Sequence, residues 1–135
     1  MTHQGSCLCG EVAFQVDCDF NGFYLCHCSR CRKDTGSAHG ANLFAADAAF
    51  RWLKGQEYVT TFKLADTLHA RSFCSKCGSA LPLLNEDSQS VVVPAGSLDN
   101  DPGVQPTAHI FMGSKAAWDV DLNDVTAYEE LLGSS

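Results

Sequence analysis

The chain has 135 residues, 45% of them hydrophobic and 19% charged, enough to bury a core of its own and of a size expected for a single domain over residues 1–135. Nine basic residues against sixteen acidic ones leave a formal charge of −7, which argues against a nucleic-acid partner. Stretches such as Val91-Val92-Val93-Pro94-Ala95 are far too short for a membrane span, so no membrane partner is expected either.

In chain order, Met1-Thr2-His3-Gln4-Gly5-Ser6 has no basic start followed by an apolar run, so no signal peptide is expected and the cytoplasm is the expected compartment. Cys7-Leu8-Cys9 reads as an extended pair. Val12, Phe14, Val16 and Cys18 alternate with Ala13, Gln15 and Asp17, the period-two pattern of a half-buried strand. Phe23 to Cys28 is a second strand. Ser29 then begins a short helical turn that Gly36 ends. Further strands are predicted over Ala41–Phe44, Phe50–Leu53, Tyr58–Lys63, His69–Phe73, Ala80–Leu84 and Val91–Ala95, with a turn at Asn85-Glu86-Asp87-Ser88. Asp99-Asn100-Asp101-Pro102-Gly103 is a loop on composition. A last strand covers Ala108 to Met112, and the spacing of Val125, Tyr128, Leu131 and Leu132 predicts a short amphipathic turn. The sum is a mostly β protein with short helical turns.

The chemistry lies in the cysteines. Seven of the eight fall into three clusters, Cys7-Leu8-Cys9, Cys26-His27-Cys28-Ser29-Arg30-Cys31 and Cys74-Ser75-Lys76-Cys77. A closed structural zinc site takes four protein ligands and a reactive one takes three, so seven thiols divide into one of each. In an extended C-x-C both sulfurs project to one side, and Leu8 and His27 should point away from the metal. Cys74 and Cys77, followed by Gly78, read as a zinc knuckle that offers two ligands and needs two more. Cys7 and Cys9 supply them, since the C-x-C-x-x-C cluster already holds three. The assignment is therefore a closed zinc at Cys7, Cys9, Cys74 and Cys77, and an open one at Cys26, Cys28 and Cys31, two Zn²⁺ per chain. Disulfides would need an oxidising compartment and strained bridges between cysteines two apart. Cys18 stands alone and reads as a small buried residue. With seven thiolates and two Zn²⁺ the net charge becomes about −10.

The residues around the open cluster have two readings each. Arg30, Arg32 and Lys33 can hold a small anionic ligand or simply offset the thiolate charge. His27 supports the ligands or packs, and His39 is either an acid or base for a bound thiol or an ordinary partly exposed histidine. His109 is catalytic or hydrogen-bonded in the core. Phe111 and Trp118 wall a pocket or pack, and Tyr24, Trp52 and Tyr58 pack.

The order Gly5-x-Cys7-x-Cys9-Gly10, then Cys26-His27-Cys28-x-x-Cys31-Arg32, then Phe73-Cys74-x-x-Cys77-Gly78, then His109-Ile110-Phe111-x-x-Ser114-Lys115-x-x-Trp118 resembles the glutathione-dependent formaldehyde-activating enzyme (GFA) family, also called centromere-protein-V-like, over residues 5–118. The resemblance implies a β-tent fold of several small antiparallel sheets stapled by zinc, with the same division of the seven cysteines. It also implies the namesake reaction, addition of glutathione to formaldehyde to give S-hydroxymethylglutathione, classed with carbon-sulfur lyases. The expected partners are thus a small thiol such as glutathione and an aldehyde. The alternative is a non-catalytic, zinc-stapled binding module, in which the second site would recruit a fourth protein ligand such as His39, Asp34 or Cys18.

Overall fold

Short alternating segments separated by turns give three small sheets in place of one large one. The computed structural model describes residues 1–85, 87 and 89–133. β1 (Thr2–Ser6), β2 (Ala13–Asp17) and β5 (Ala49–Lys54) form the first sheet in the order β1-β2-β5. The second, five-stranded sheet has the order β11-β3-β4-β10-β9, from β3 (Gly22–Cys26), β4 (Gly40–Ala45), β9 (Leu83–Asn85), β10 (Ser90–Pro94) and β11 (Ala108–Ile110). The third joins β6 (Val59–Lys63), β7 (Ala70–Cys74) and β8 (Ala80–Leu81). The helix α1 (Ser29–Thr35) connects β3 to β4. Pairing is antiparallel except between β11 and β3, which run parallel.

Inward-facing residues of these strands meet in one core. Phe14 and Val16 on β2, Leu43 on β4, Leu81 on β8, and Val91 and Val93 on β10 pack with Val12, Phe23 and Ala45. Cys7 and Cys74 belong to the same cluster, so the thiols are rooted in the core itself. On the five-stranded sheet, opposed residues share a face. Tyr24 and Cys26 therefore lie with Gly40, Asn42, Val92 and Pro94, while Phe23, Leu25, Leu43, Val91 and Val93 line the core side.

Several elements depart from expectation for identifiable reasons. β1 has no apolar alternation, because the residues it turns inward are His3 and Gly5. The buried His3 packs its ring 4.7 Å from Phe20, and its Nδ1 accepts from Asn100 Nδ2 at 3.2 Å. Gly5 is required by close approach: a Cβ there would stand 2.2 Å from Phe14 Cζ and 2.5 Å from the Ser97 carbonyl oxygen. Gly5→Ala should lower stability by about 3 kcal/mol, or ~10 °C in the thermal midpoint. A melting curve unchanged within ~2 °C would contradict that packing.

Pro82 splits the expected Ala80–Leu84 strand into β8 and β9, which join different sheets, since proline cannot donate to a ladder. Tyr58 ends a 3-10 turn (Gln56–Tyr58), and His69 precedes β7 instead of opening it. β11 stops at Ile110 because Phe111 adopts φ 57°. The tail forms a single 3-10 turn (Leu122–Asp124), and Val125, Tyr128, Leu131 and Leu132 are exposed and not helical. Within the turn expected at residues 85–88, Glu86 and Ser88 lie outside the described residues.

Candidate active site: two thiol clusters and a cavity

The first cluster joins the end of β1 to the end of β7. Cys7-Leu8-Cys9 is a turn and not an extended pair, with the Gly10 N–H donating to the Cys7 carbonyl at 3.1 Å. The turn still brings both sulfurs to one side and leaves Leu8 87% exposed. Across from it, the Gly78 N–H closes the Cys74–Gly78 knuckle on the Cys74 carbonyl at 2.7 Å, with φ 77° at Gly78, a left-handed conformation that favours glycine. Cys7 and Cys9 sulfurs are 3.5 Å apart, Cys9 and Cys74 3.9 Å, and all four of Cys7, Cys9, Cys74 and Cys77 lie within 4.8 Å of one another. A tetrahedron of sulfurs about 2.3 Å from a central zinc has edges of about 3.8 Å, so this donor set fits that ion.

Local donors already favour thiolate here. The Ser79 hydroxyl, 3.2 Å from Cys77 Sγ, and the Ser79 and Cys9 amides pull the Cys77 pKa down to about 5. Burial opposes ionisation of Cys7, but the Val12 amide, 3.3 Å from its sulfur, and the neighbouring Cys9 and Cys74 thiols leave its pKa lowered. For Cys9 the Glu11 amide is outweighed by burial and the three other thiols, which push it up to about 11. Four thiols cannot all ionise together without a cation among them.

The second cluster is local. Cys26 ends β3, the backbone of Cys28 is extended, and Cys31 comes back on the first turn of α1. The helix begins at Ser29, as expected, and Cys28 caps it: its sulfur accepts from the Cys31 N–H at 3.4 Å. Gly36 ends the helix in the left-handed conformation, as expected. The three sulfurs lie within 4.8 Å of one another, and among the described residues no fourth histidine, cysteine or carboxylate joins them. Burial resists ionisation of Cys28, yet the Cys31 amide and the Cys31 and Cys26 thiols lower its pKa; burial and the Cys26 and Cys28 thiols raise that of Cys31.

A cavity of about 410 Å³ opens beside Cys31, within the range of small-molecule sites. Spacing on α1 turns Cys31, Asp34 and Thr35 to this cavity, since residues three and four apart share a helix face. Gly40, Asn42, Val92 and Pro94 form its floor on the cysteine side of the five-stranded sheet. His69, from the turn before β7, and Arg71 and Ser72 of β7 close it, and Gly78 of the knuckle lines it as well. Asp34 Oδ2 and His69 Nε2 are 2.5 Å apart across it. Arg71 is the cation of this cavity; Arg30, Arg32 and Lys33 do not line it, and Arg30 and Lys33 face solvent.

The other singled-out residues sit elsewhere. His27 is 1% exposed, with Nε2 2.8 Å from His109 Nδ1 and Nδ1 3.1 Å from Asp119 Oδ2, and burial, then His39, lowers its pKa. His109 is exposed on the edge strand β11 and is not a core residue; it pairs with Leu25, so its ring and that of His27 stand on the face opposite Cys26. His39 is half-buried, its ring 5.0 Å from that of His27. Phe111 and Trp118 are 64% and 62% exposed and neither pack in the core nor line this cavity. Trp52 packs on Phe50 and Phe14, Tyr24 on Phe44, and Lys76 lies over the Tyr58 ring. Cys18 is half-buried beside the core, and burial raises its pKa. No helix among the described residues is long and apolar enough to cross a membrane.

His69 and Arg71 escaped sequence reasoning because nothing in their spacing marks them. The signal was present only as a pair of polar residues in an alternating strand and its lead-in. Asp34, the partner of His69, stood out in the sequence only as an alternative fourth ligand of the second cluster.

The chain matches the family described as glutathione-dependent formaldehyde-activating enzyme over residues 2–114. It is 33% identical over 125 residues to a Halomonas elongata protein provisionally named a glutathione-dependent formaldehyde-activating enzyme, covering 87% of this chain and 80% of that one. In fold it is similar to the crystal structure of a Rhodobacter sphaeroides protein, with a TM-score of 0.59 and 23% identity, over 78% of this chain and 98% of the other. With the three cysteine clusters in order and the match spanning most of its length, the chain belongs to the glutathione-dependent formaldehyde-activating enzyme family.

Proposed function

We propose that this chain is a single zinc-binding domain that joins a small thiol, glutathione or a close relative, to an aldehyde, formaldehyde in the family's namesake reaction, as a carbon-sulfur lyase. The observation that carries the reading is the donor count: Cys26, Cys28 and Cys31 offer three thiols, one short of a tetrahedral set, with Cys31 lining a cavity, whereas Cys7, Cys9, Cys74 and Cys77 offer all four. The first would hold a zinc with a position left for substrate, the second a zinc that only ties the fold. When bound at the three-thiol cluster, Zn²⁺ supplies the charge that keeps a thiol ionised near neutral pH and polarises a carbonyl.

The chain's own residues do the rest. Arg71 offers a planar, permanently charged partner for a substrate carboxylate. Leu81, Leu83, Val92 and Pro94 give the cavity an apolar wall that limits water beside the reacting sulfur. Asn42, Thr35 and Ser72 add neutral hydrogen-bonding groups. The reaction forms one S–C bond, moves the carbonyl π pair to oxygen, and carries the thiol proton to that oxygen. On this proposal the chain works in the cytoplasm, the compartment of reduced glutathione, and neither nucleic acid nor a membrane is given a part in the reaction.

Metal content and thiol binding test this directly. Protein purified without chelator should carry two zinc ions per chain. With cobalt substituted at the second cluster, millimolar glutathione should alter the ligand-field spectrum. No spectral change, with both metals present, would turn the reading into a zinc-stapled binding module.

A further inference from the structure

The cavity contains one titratable pair that the proposed reaction has not yet used. Asp34 and His69 approach from different elements, α1 and the turn before β7, and meet at 2.5 Å between Oδ2 and Nε2. Both side chains are mostly covered, 25% and 18% exposed, while lining the same space as Cys31. The turn that delivers His69 is fixed by its own hydrogen bonds. The Leu64 N–H donates to the His69 carbonyl at 2.9 Å, the His69 N–H to Thr67 Oγ1 at 3.1 Å, and that hydroxyl to the Leu64 carbonyl at 2.8 Å. The ring is thus presented by a braced backbone, with Nε2 committed to the carboxylate and no hydrogen-bond partner at Nδ1 among the described residues.

We propose that His69, oriented by Asp34, is the acid-base group of this cavity, a role that rests on the reading of the cavity as a thiol site. Elimination leads to it. The charged and titratable groups lining the cavity are Cys31 and Asp34 from α1, His69 from the turn, and Arg71 from β7. Arg71 keeps its proton at any working pH, and Cys31 belongs to the ligand set. Asp34 is engaged with the ring and fixes its orientation, as the carboxylate of an acid-base pair does. His27, His39 and His109 do not line the cavity, and His27 and His109 stand on the opposite face of β3. His69 Nδ1 takes the proton from the entering thiol. As sulfur bonds to the carbonyl carbon and the π pair moves to oxygen, the same nitrogen gives that proton to the oxygen. Nothing is oxidised or reduced, and the adduct is the sum of its two reactants.

The test uses zinc-loaded, full-length protein and glutathione, with a pH indicator in weak buffer to count protons released as the thiol binds. His69→Gln keeps an N–H for Asp34 but cannot carry a proton, so it should release about one more proton per bound thiol than the parent protein. With formaldehyde present, kcat should fall about 100-fold while KM stays within about threefold. Asp34→Asn should lower kcat about tenfold and move proton release in the same direction, which keeps the question answerable if the first variant folds poorly. Normal glutathione binding with unchanged proton release and kcat in both variants would overturn the dyad and leave the proposed function standing. Absence of glutathione binding to the parent protein would instead remove the thiol reading itself, and the dyad's role with it.

Discussion

Cys28→Ser is expected to keep the fold and lose the chemistry. Metal content should drop from two ions to one per chain, and adduct formation from glutathione and formaldehyde at least ~100-fold, beyond what loss of a group behind a metal ligand costs. The thermal midpoint should stay within a few degrees of the parent. The substitution is chosen because Cys28 has two jobs that serine separates. Its sulfur is one of three donors in the open cluster, and it also caps α1 by accepting from the Cys31 N–H. A serine hydroxyl is a preferred helix cap but a poor replacement for a thiolate on zinc. Loss of activity with an intact melting curve would therefore report on the metal and not on the helix. Retention of two ions and full activity would show that the cluster is not the reactive centre.

Cys74→Ser should have the opposite signature, collapse of the fold before any question of activity. Cys74 is fully buried, packs in the core, and donates its backbone N–H to Ser79 within the knuckle. The cluster it belongs to ties the end of β1 to the end of β7. Structural zinc in small domains binds with an apparent free energy of about 10–16 kcal/mol, as large as the roughly 5–15 kcal/mol that holds a typical domain folded. Losing a ligand there should abolish the cooperative thermal transition seen by circular dichroism and leave the variant largely insoluble. A cooperative melt within ~5 °C of the parent would sink the structural assignment.

How far the sequence disclosed this depended on how local each feature is. The thiol clusters were legible because ligand spacing is a short-range property: a knuckle closes on its own glycine, and Cys26, Cys28 and Cys31 need only a strand end and one helical turn. Strands such as β2, β4 and β10 were legible from alternation, because one face of each meets the core. β1 was not, since its buried positions hold histidine and glycine, and what they bury against is supplied by Phe20, Phe14 and Ser97, all outside the strand. The cavity was invisible for the same reason. It forms where α1, the five-stranded sheet and β7 converge, and no periodicity in any one segment announces that Arg71 and His69 will face Cys31. Positive charge next to the cysteines in sequence pointed to Arg30, Arg32 and Lys33, but helix geometry does not turn these to the cavity and gives that face to Asp34 and Thr35.

The separation of thiols along the chain also sets an order of assembly. Cys9 and Cys74, neighbours in space at 3.9 Å, are 65 residues apart in sequence, and closing a loop of that length costs the unfolded chain about 4 kcal/mol in entropy. Cys26, Cys28 and Cys31 span a single short segment inside that loop. On a ribosome the inner trio is complete and able to capture an ion while Cys74 and Cys77 are still unmade; the outer clip must wait for them. With zinc at both clusters, as proposed, a nascent chain would meet its metals in the reverse of their importance to the fold, and scarcity of zinc during synthesis would leave the inner trio loaded and the outer clip open.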